Sequence, residues 1–210
     1  ARKKKDDPKA KAVQVWDRFY YTKVVQKEQY GFDAQAVRPY FEYQRVTAGL
    51  QALYGELFGV AFRKVEAPVW DPSVSAYQLL KDDKVVGEFY LDMHPREGKY
   101  GHAAMFPIRV GLKGKTLPAA SLVCNFPGGE GQGLMEHSQV VTYFHEFGHL
   151  VHHLLATNSD WANQGGINTE WDFVEAPSQL LEEWAWDAAV LQRFATHVET
   201  NEPIPADVVK

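Results

Sequence analysis

The chain has 210 residues, 45% of them hydrophobic, and a net charge of −5; that is enough for one domain with a substantial core, and the mild acidity excludes a dedicated nucleic-acid binder, which carries a basic face. A single cysteine, Cys124, excludes an intrachain disulfide and a cysteine-rich zinc knuckle, and fits a reducing compartment such as the cytoplasm. No apolar run of about 18 residues is present to span a membrane, and the opening stretch Arg2 to Lys11 is charged where a signal peptide would be apolar.

The aromatic content, 6 Trp, 10 Tyr and 12 Phe, calls for a thick core or a chain cut from a larger body. The basic run Arg2-Lys3-Lys4-Lys5 reads as a solvated terminus. A helix is predicted over 10–30, stopped at Gly31, and a second follows Pro39. There Val46, Leu50, Leu53, Tyr54, Leu57 and Phe58 form one stripe of 3.6-residue period, closed by Gly59. Ser75 to Leu80 and Val85 to Asp92 read as a hairpin around a polar loop, 81–84. His102 to Ile108 and Ala120 to Phe126 are two further strands, separated by the loop Gly111 to Lys115. The segment 74–126 thus predicts a small, mostly antiparallel sheet. A glycine-rich link, 127–133, precedes a long helix from about Met135 to Ala156. After a polar loop, 157–169, a last helix is predicted from about Val174 to Val198, with Pro177 in its first turn. The expected fold is mainly α with a small antiparallel β-sheet, an α+β arrangement of helical residues 1–60, sheet 74–126 and helices 135–200.

The chemistry concentrates at His145-Glu146-Phe147-Gly148-His149. Four residues of helix turn about 400°, so both imidazoles leave one face a turn apart. Two neutral imidazole nitrogens at that spacing grip one zinc ion at roughly 2.0–2.1 Å. Glu146, about 100° round from His145, stands beside the ion, where a carboxylate can deprotonate a water. With 8 His in the chain, HExxH arises by chance in on the order of one chain in a hundred. The apolar residues Val140, Val141, Phe144, Phe147, Leu150, Val151, Leu154 and Leu155 sharpen the match by supplying a buried helix. Gly148 lets another backbone or a substrate come close. His152 is in line with His145 but about 10 Å along the axis, so His152 and His153 read as outer or solvated groups.

A catalytic zinc wants a third protein ligand and an open position. The predicted last segment offers Glu170, Asp172, Glu175, Glu182 and Glu183, with Glu175 best placed. Two readings of Glu175 compete. It completes a metal site, or it forms a capping box with Asp172.

Phe144-His145-Glu146-Phe147-Gly148-His149 followed by Asp172-Phe173-Val174-Glu175-Ala176-Pro177-Ser178-Gln179 closely resembles the thimet oligopeptidase family, peptidase family M3. Phe89-Tyr90-Leu91-Asp92, the stretch Arg96 to Ala104 and Pro39-Tyr40-Phe41 share the resemblance. It implies one zinc ion on His145, His149 and Glu175, Glu146 as general base, and a zincin-like core beside a deep channel. It implies short unstructured peptides as substrates, with the strand near His102 to Met105 pairing with the peptide backbone and Gly101, His102 and Ala103 in contact with it. It also implies a central slice of a longer, mostly helical enzyme, with N-terminal and C-terminal parts of the family fold, including a further oxyanion donor, outside this sequence. Trp171 and Gln139 depart from the family pattern and weaken any transfer of cleavage preference.

Two other readings stand beside the peptidase. Another zinc enzyme, an aminopeptidase, would need a motif for a free amine, and none is visible. A non-catalytic zinc-stabilised fragment would close the site with four ligands and no water.

Overall fold

The computed structural model describes residues 2–30, 35–128, 133–157 and 159–209. Its contacts divide the chain into two compact units, Ala1–Val37 and Arg38–Lys210. In the first unit, helix α1 spans Arg2–Asp6 and helix α2 spans Arg18–Tyr30, preceded by a 3-10 turn, Val15–Asp17. The basic run is therefore helical. Only part of it is solvated, because Arg2 pairs with Glu28 and Lys3 with Asp17. The predicted stop at Gly31 lies outside the described residues.

The second unit opens with α3, Tyr43–Phe58. Glu42 caps it by accepting the Arg45 N–H at 3.0 Å. Gly59 ends it at φ 62°, a left-handed conformation that favours glycine. Five strands follow: β1 Ala61–Val65, β2 Ser75–Lys81, β3 Lys84–Asp92, β4 Ala104–Arg109 and β5 Ala119–Val123. They form one sheet in the order β1-β2-β3-β5-β4. Three of the four pairings are antiparallel, as expected, and one is not. The sheet is mixed, because β5 returns between β3 and β4 and pairs with β3 in parallel. The physical mark is burial: Ala119 to Leu122 are all buried, as in a strand covered on both faces. β4 is left at the edge, antiparallel to β5, and it contains Pro107, a residue suited to an edge.

Helix α4, His137–Leu155, lies against the sheet. Its backbone start is held by Glu136 N–H donating to Gln139 Oε1 at 2.9 Å. Phe147 on α4 meets Tyr54 of α3, Phe62 of β1 and Phe89 of β3, with ring centroids 5.1, 5.4 and 6.2 Å away. This aromatic cluster joins helices to sheet. Tyr54 also donates its hydroxyl proton to the Phe144 carbonyl at 2.7 Å. The surplus of rings is not all internal, since Trp171, Phe173, Trp184 and Trp186 stay exposed.

The predicted helix from Val174 to Val198 is also corrected. Helix α5 spans only Ala176–Glu182, a 3-10 turn covers Glu183–Trp186, and α6 spans Ala188–Leu191. Asp187 breaks the run, being extended and accepting the Val190 N–H at 2.9 Å, which starts a new helix. Most of the expected glycine-rich link, residues 129–132, lies outside the described residues. No described helix is long and apolar enough to cross a membrane.

Candidate metal centre

Helix α4 presents His145 and His149 on one face, ring centroids 4.9 Å apart. The opposite face buries Val140, Tyr143, Phe144, Phe147, Leu150, Val151 and Leu154, so the histidine face is fixed by the core. Helix α5 crosses beside it. A Cβ on Gly148 would come within 3.0 Å of the Ser178 Cα, so of the two uses open to Gly148 the fold takes the approach of a second backbone. Pro177 sits in the first turn of α5, where its missing N–H costs little.

That approach brings Glu175, at the N-cap position of α5, to the imidazoles. Its Oε2 lies 3.0 Å from Nε2 of His145 and 3.0 Å from Nε2 of His149. Ser178 Oγ donates to the same oxygen at 3.2 Å. Helix α5 begins at Ala176 with Glu175 itself at the N-cap, so the capping box expected with Asp172 as the cap is not formed. Burial pushes its carboxyl up, but His149, Ser178 and His145 more than offset this and hold it below the ordinary value.

One ligand atom from each of His145, His149 and Glu175 lies within 4.8 Å of the others. Tetrahedral donors about 2.1 Å from a zinc ion lie about 3.4 Å apart. The observed 3.0 Å separations need only a small outward relaxation, and the set of two imidazoles and one carboxylate matches a catalytic zinc with an open position. The residues therefore fit the ion.

Glu146 is half-buried beside this cluster. Burial raises its pKa, and Glu175 adds to the rise, while His145, His149 and the backbone N–H of Met105 on β4 oppose it. The raised value is the net result. Gly101 and His102 are exposed and Ala103 half-buried, in the loop leading into β4 rather than in the strand. Asn125 Nδ2 holds this loop by donating to the Tyr100 and His102 carbonyls at 2.9 and 3.1 Å.

His153 is not solvated. It is fully buried, and its Nε2 lies 3.1 Å from the Arg109 carbonyl at the end of β4. It ties α4 to the edge strand. His152 is half-buried.

Two features escaped the sequence reading. Glu182, weighed as a ligand, lies on the far side of His145, with Oε2 3.0 Å from Nδ1. A buried charge cluster closes the β3 end. Asp92 takes two bonds from Arg96, at 2.6 and 2.8 Å, and one from Trp70 at 2.9 Å. The Lys99 ammonium, 3% exposed, bonds the Asp92 carboxylate and the carbonyls of Asp92, His94 and Cys124. Burial alone would raise the Asp92 pKa, but Arg96, Lys99 and Trp70 hold it well below the carboxylate range. The charges Asp92, Arg96 and Lys99, directly after the apolar run Phe89-Tyr90-Leu91, were the available signal.

A sequence model of peptidase family M3 matches residues 1–210. The chain is 33% identical to saccharolysin of Saccharomyces cerevisiae over 93% of its length, and 38% identical to oligopeptidase A of Haemophilus influenzae over 91%. It is 38% identical over 99% of its length to the mitochondrial intermediate peptidase of Arabidopsis thaliana. It covers 30%, 29% and 31% of those proteins respectively. The match along the whole sequence leads to one assignment: this chain belongs to peptidase family M3.

Proposed function

We propose that the chain carries the catalytic centre of a zinc-dependent oligopeptidase acting on short peptides in a reducing compartment such as the cytoplasm. The observation that carries this reading is the single Glu175 oxygen set 3.0 Å from both imidazole nitrogens, with Glu146 beside them. His145, His149 and Glu175 hold the ion. A bound zinc supplies Lewis acidity, polarising a peptide carbonyl and making a water easier to deprotonate.

The protein groups do the rest. The Glu146 carboxylate accepts a proton from the attacking water and passes it to the nitrogen of the departing amine. The upward direction of its pKa suits a group that must both take and release a proton. The substrate lies along β4, whose outer edge is unpaired among the described residues, and forms main-chain hydrogen bonds there. Gly101, His102 and Ala103 border that path. The names of two of these relatives, oligopeptidase A and the mitochondrial intermediate peptidase, agree with peptides as substrates.

The test is Glu146→Gln in the intact protein. Hydrolysis of a short peptide should fall by at least about 100-fold while zinc stays bound. Unchanged hydrolysis in that variant overturns the mechanism.

A further inference from the structure

We infer that Glu182 is the positioning residue of this centre: its carboxylate accepts the Nδ1 proton of His145, fixing the ring's rotation and which nitrogen faces the metal. The inference rests on the proposed metal site and deepens it.

The two imidazoles are not held alike. His149 is 9% exposed, packed into the core, and its Nδ1 has no hydrogen-bond partner among the described residues. Burial sets its orientation. His145 is more open, with 21% of its side chain exposed, so packing alone leaves its ring freer to turn. That ring is the one with a carboxylate behind it, Glu182 Oε2 at 3.0 Å from Nδ1.

The fold supplies this carboxylate from the same element as the ligand. Glu182 follows Glu175 by seven residues, and seven residues of helix turn about 700°, nearly two full turns. Both carboxylates therefore leave α5 on one side, about 10 Å apart along the axis. Between them Ser178 and Leu181 are buried where α5 meets Gly148. His145 sits between the two, Nε2 towards Glu175 and Nδ1 towards Glu182. A proton on Nδ1 satisfies Glu182 and leaves the Nε2 lone pair for the ion. The negative charge behind the ring also makes that nitrogen a stronger donor. Glu182 is not part of the three-residue ligand cluster, so it acts through His145.

The experiment measures zinc affinity of the intact protein by competition with a chelator, for the wild type, Glu182→Gln and Glu182→Leu. Gln keeps an acceptor oxygen of similar reach and drops the charge; Leu removes the acceptor. Affinity should fall in that order, with Leu about 10- to 100-fold weaker than wild type. In the zinc-loaded wild type the His145 Nδ1 proton should be protected from solvent exchange by NMR, and in the Leu variant it should exchange freely. A role in packing alone would not move that proton. A Leu variant that unfolds leaves the Gln comparison, in which loss of charge alone must weaken zinc. Wild-type affinity in the variants, with an unchanged Nδ1 proton, overturns the role of Glu182 while the metal site stands. A wild type that binds no zinc overturns both.

Discussion

Gly148 and Ser178 meet backbone to backbone: a Cβ at position 148 would lie 3.0 Å from the Ser178 Cα. The whole centre depends on this contact, because it sets the distance between the helix that bears the histidines and the helix that begins at Glu175. Gly148→Val should therefore weaken zinc binding without touching a ligand. Two effects on stability oppose each other. Replacing glycine inside a helix gains up to about 1 kcal/mol, and overpacking costs about 1–3 kcal/mol. The variant should lose about 1–2 kcal/mol in urea unfolding, while its zinc affinity drops more than its stability. Chelator competition and denaturation on the same sample check the pair.

Zinc removal should be visible as lost stability. A ligand at 100 times its Kd stabilises the folded state by about 2.7 kcal/mol. Chelation should lower the melting temperature and added zinc should restore it. Glu175→Gln should shrink the zinc-dependent shift. A melting curve indifferent to zinc and chelator would contradict the metal reading.

The Asp92 cluster predicts a second kind of loss. Asp92→Asn leaves the Lys99 ammonium, 3% exposed, without its counter-charge, and breaking such a buried pair costs about 3–5 kcal/mol. The folded carboxyl sits below its unfolded value of about 3.9. Its contribution is therefore full above that pH and is lost as pH falls below it. The variant should be less stable at pH 7 and show a shallower loss below about pH 4.

Histidines give a separate window. Burial lowers the pKa of His153, against the opposing effect of the Arg109 and Ala119 backbone groups, and burial likewise lowers that of His137. The unfolded chain then takes up protons first as pH falls through about 6.5. Stability contributed by the neutral rings is present above that pH and is lost below it, down to their lowered folded values. His153→Gln keeps a donor near the Arg109 carbonyl and cannot titrate there. Its stability should depend less on pH between about 6.5 and 5, at a cost of about 1 kcal/mol at neutral pH. Urea titrations at a series of pH values measure both.

What the sequence revealed follows from local physics. The stripe from Val46 to Phe58 and the apolar face around Phe144 and Phe147 carry their own period, and both helices stand within two residues of expectation at their C-terminal ends. His145 and His149 were legible because four residues on a helix always share a face. Pairing between distant strands has no such local mark. β1, Ala-Phe-Arg-Lys-Val, is mostly exposed and offers little apolar contrast. The parallel partner of β3, Ala-Ala-Ser-Leu-Val, lacks the polar alternation of a half-exposed strand, and that was its only mark. Glu182 was visible as a residue and hidden as a role, because which side of the His145 ring it faces depends on how α5 crosses α4. The break at Asp187 is a capping signal overlooked within an apparently continuous helix.

Pro107 carries a consequence for how this rim of the sheet can be used. The N–H of Met105 faces Glu146, and amide directions alternate along an antiparallel strand, so position 107 turns its nitrogen the same way. Proline has no hydrogen there. A chain added along this edge would meet a blank at position 107 where a donor would otherwise stand. That blank limits how long a strand the rim could template, which also guards it against stacking with its own kind.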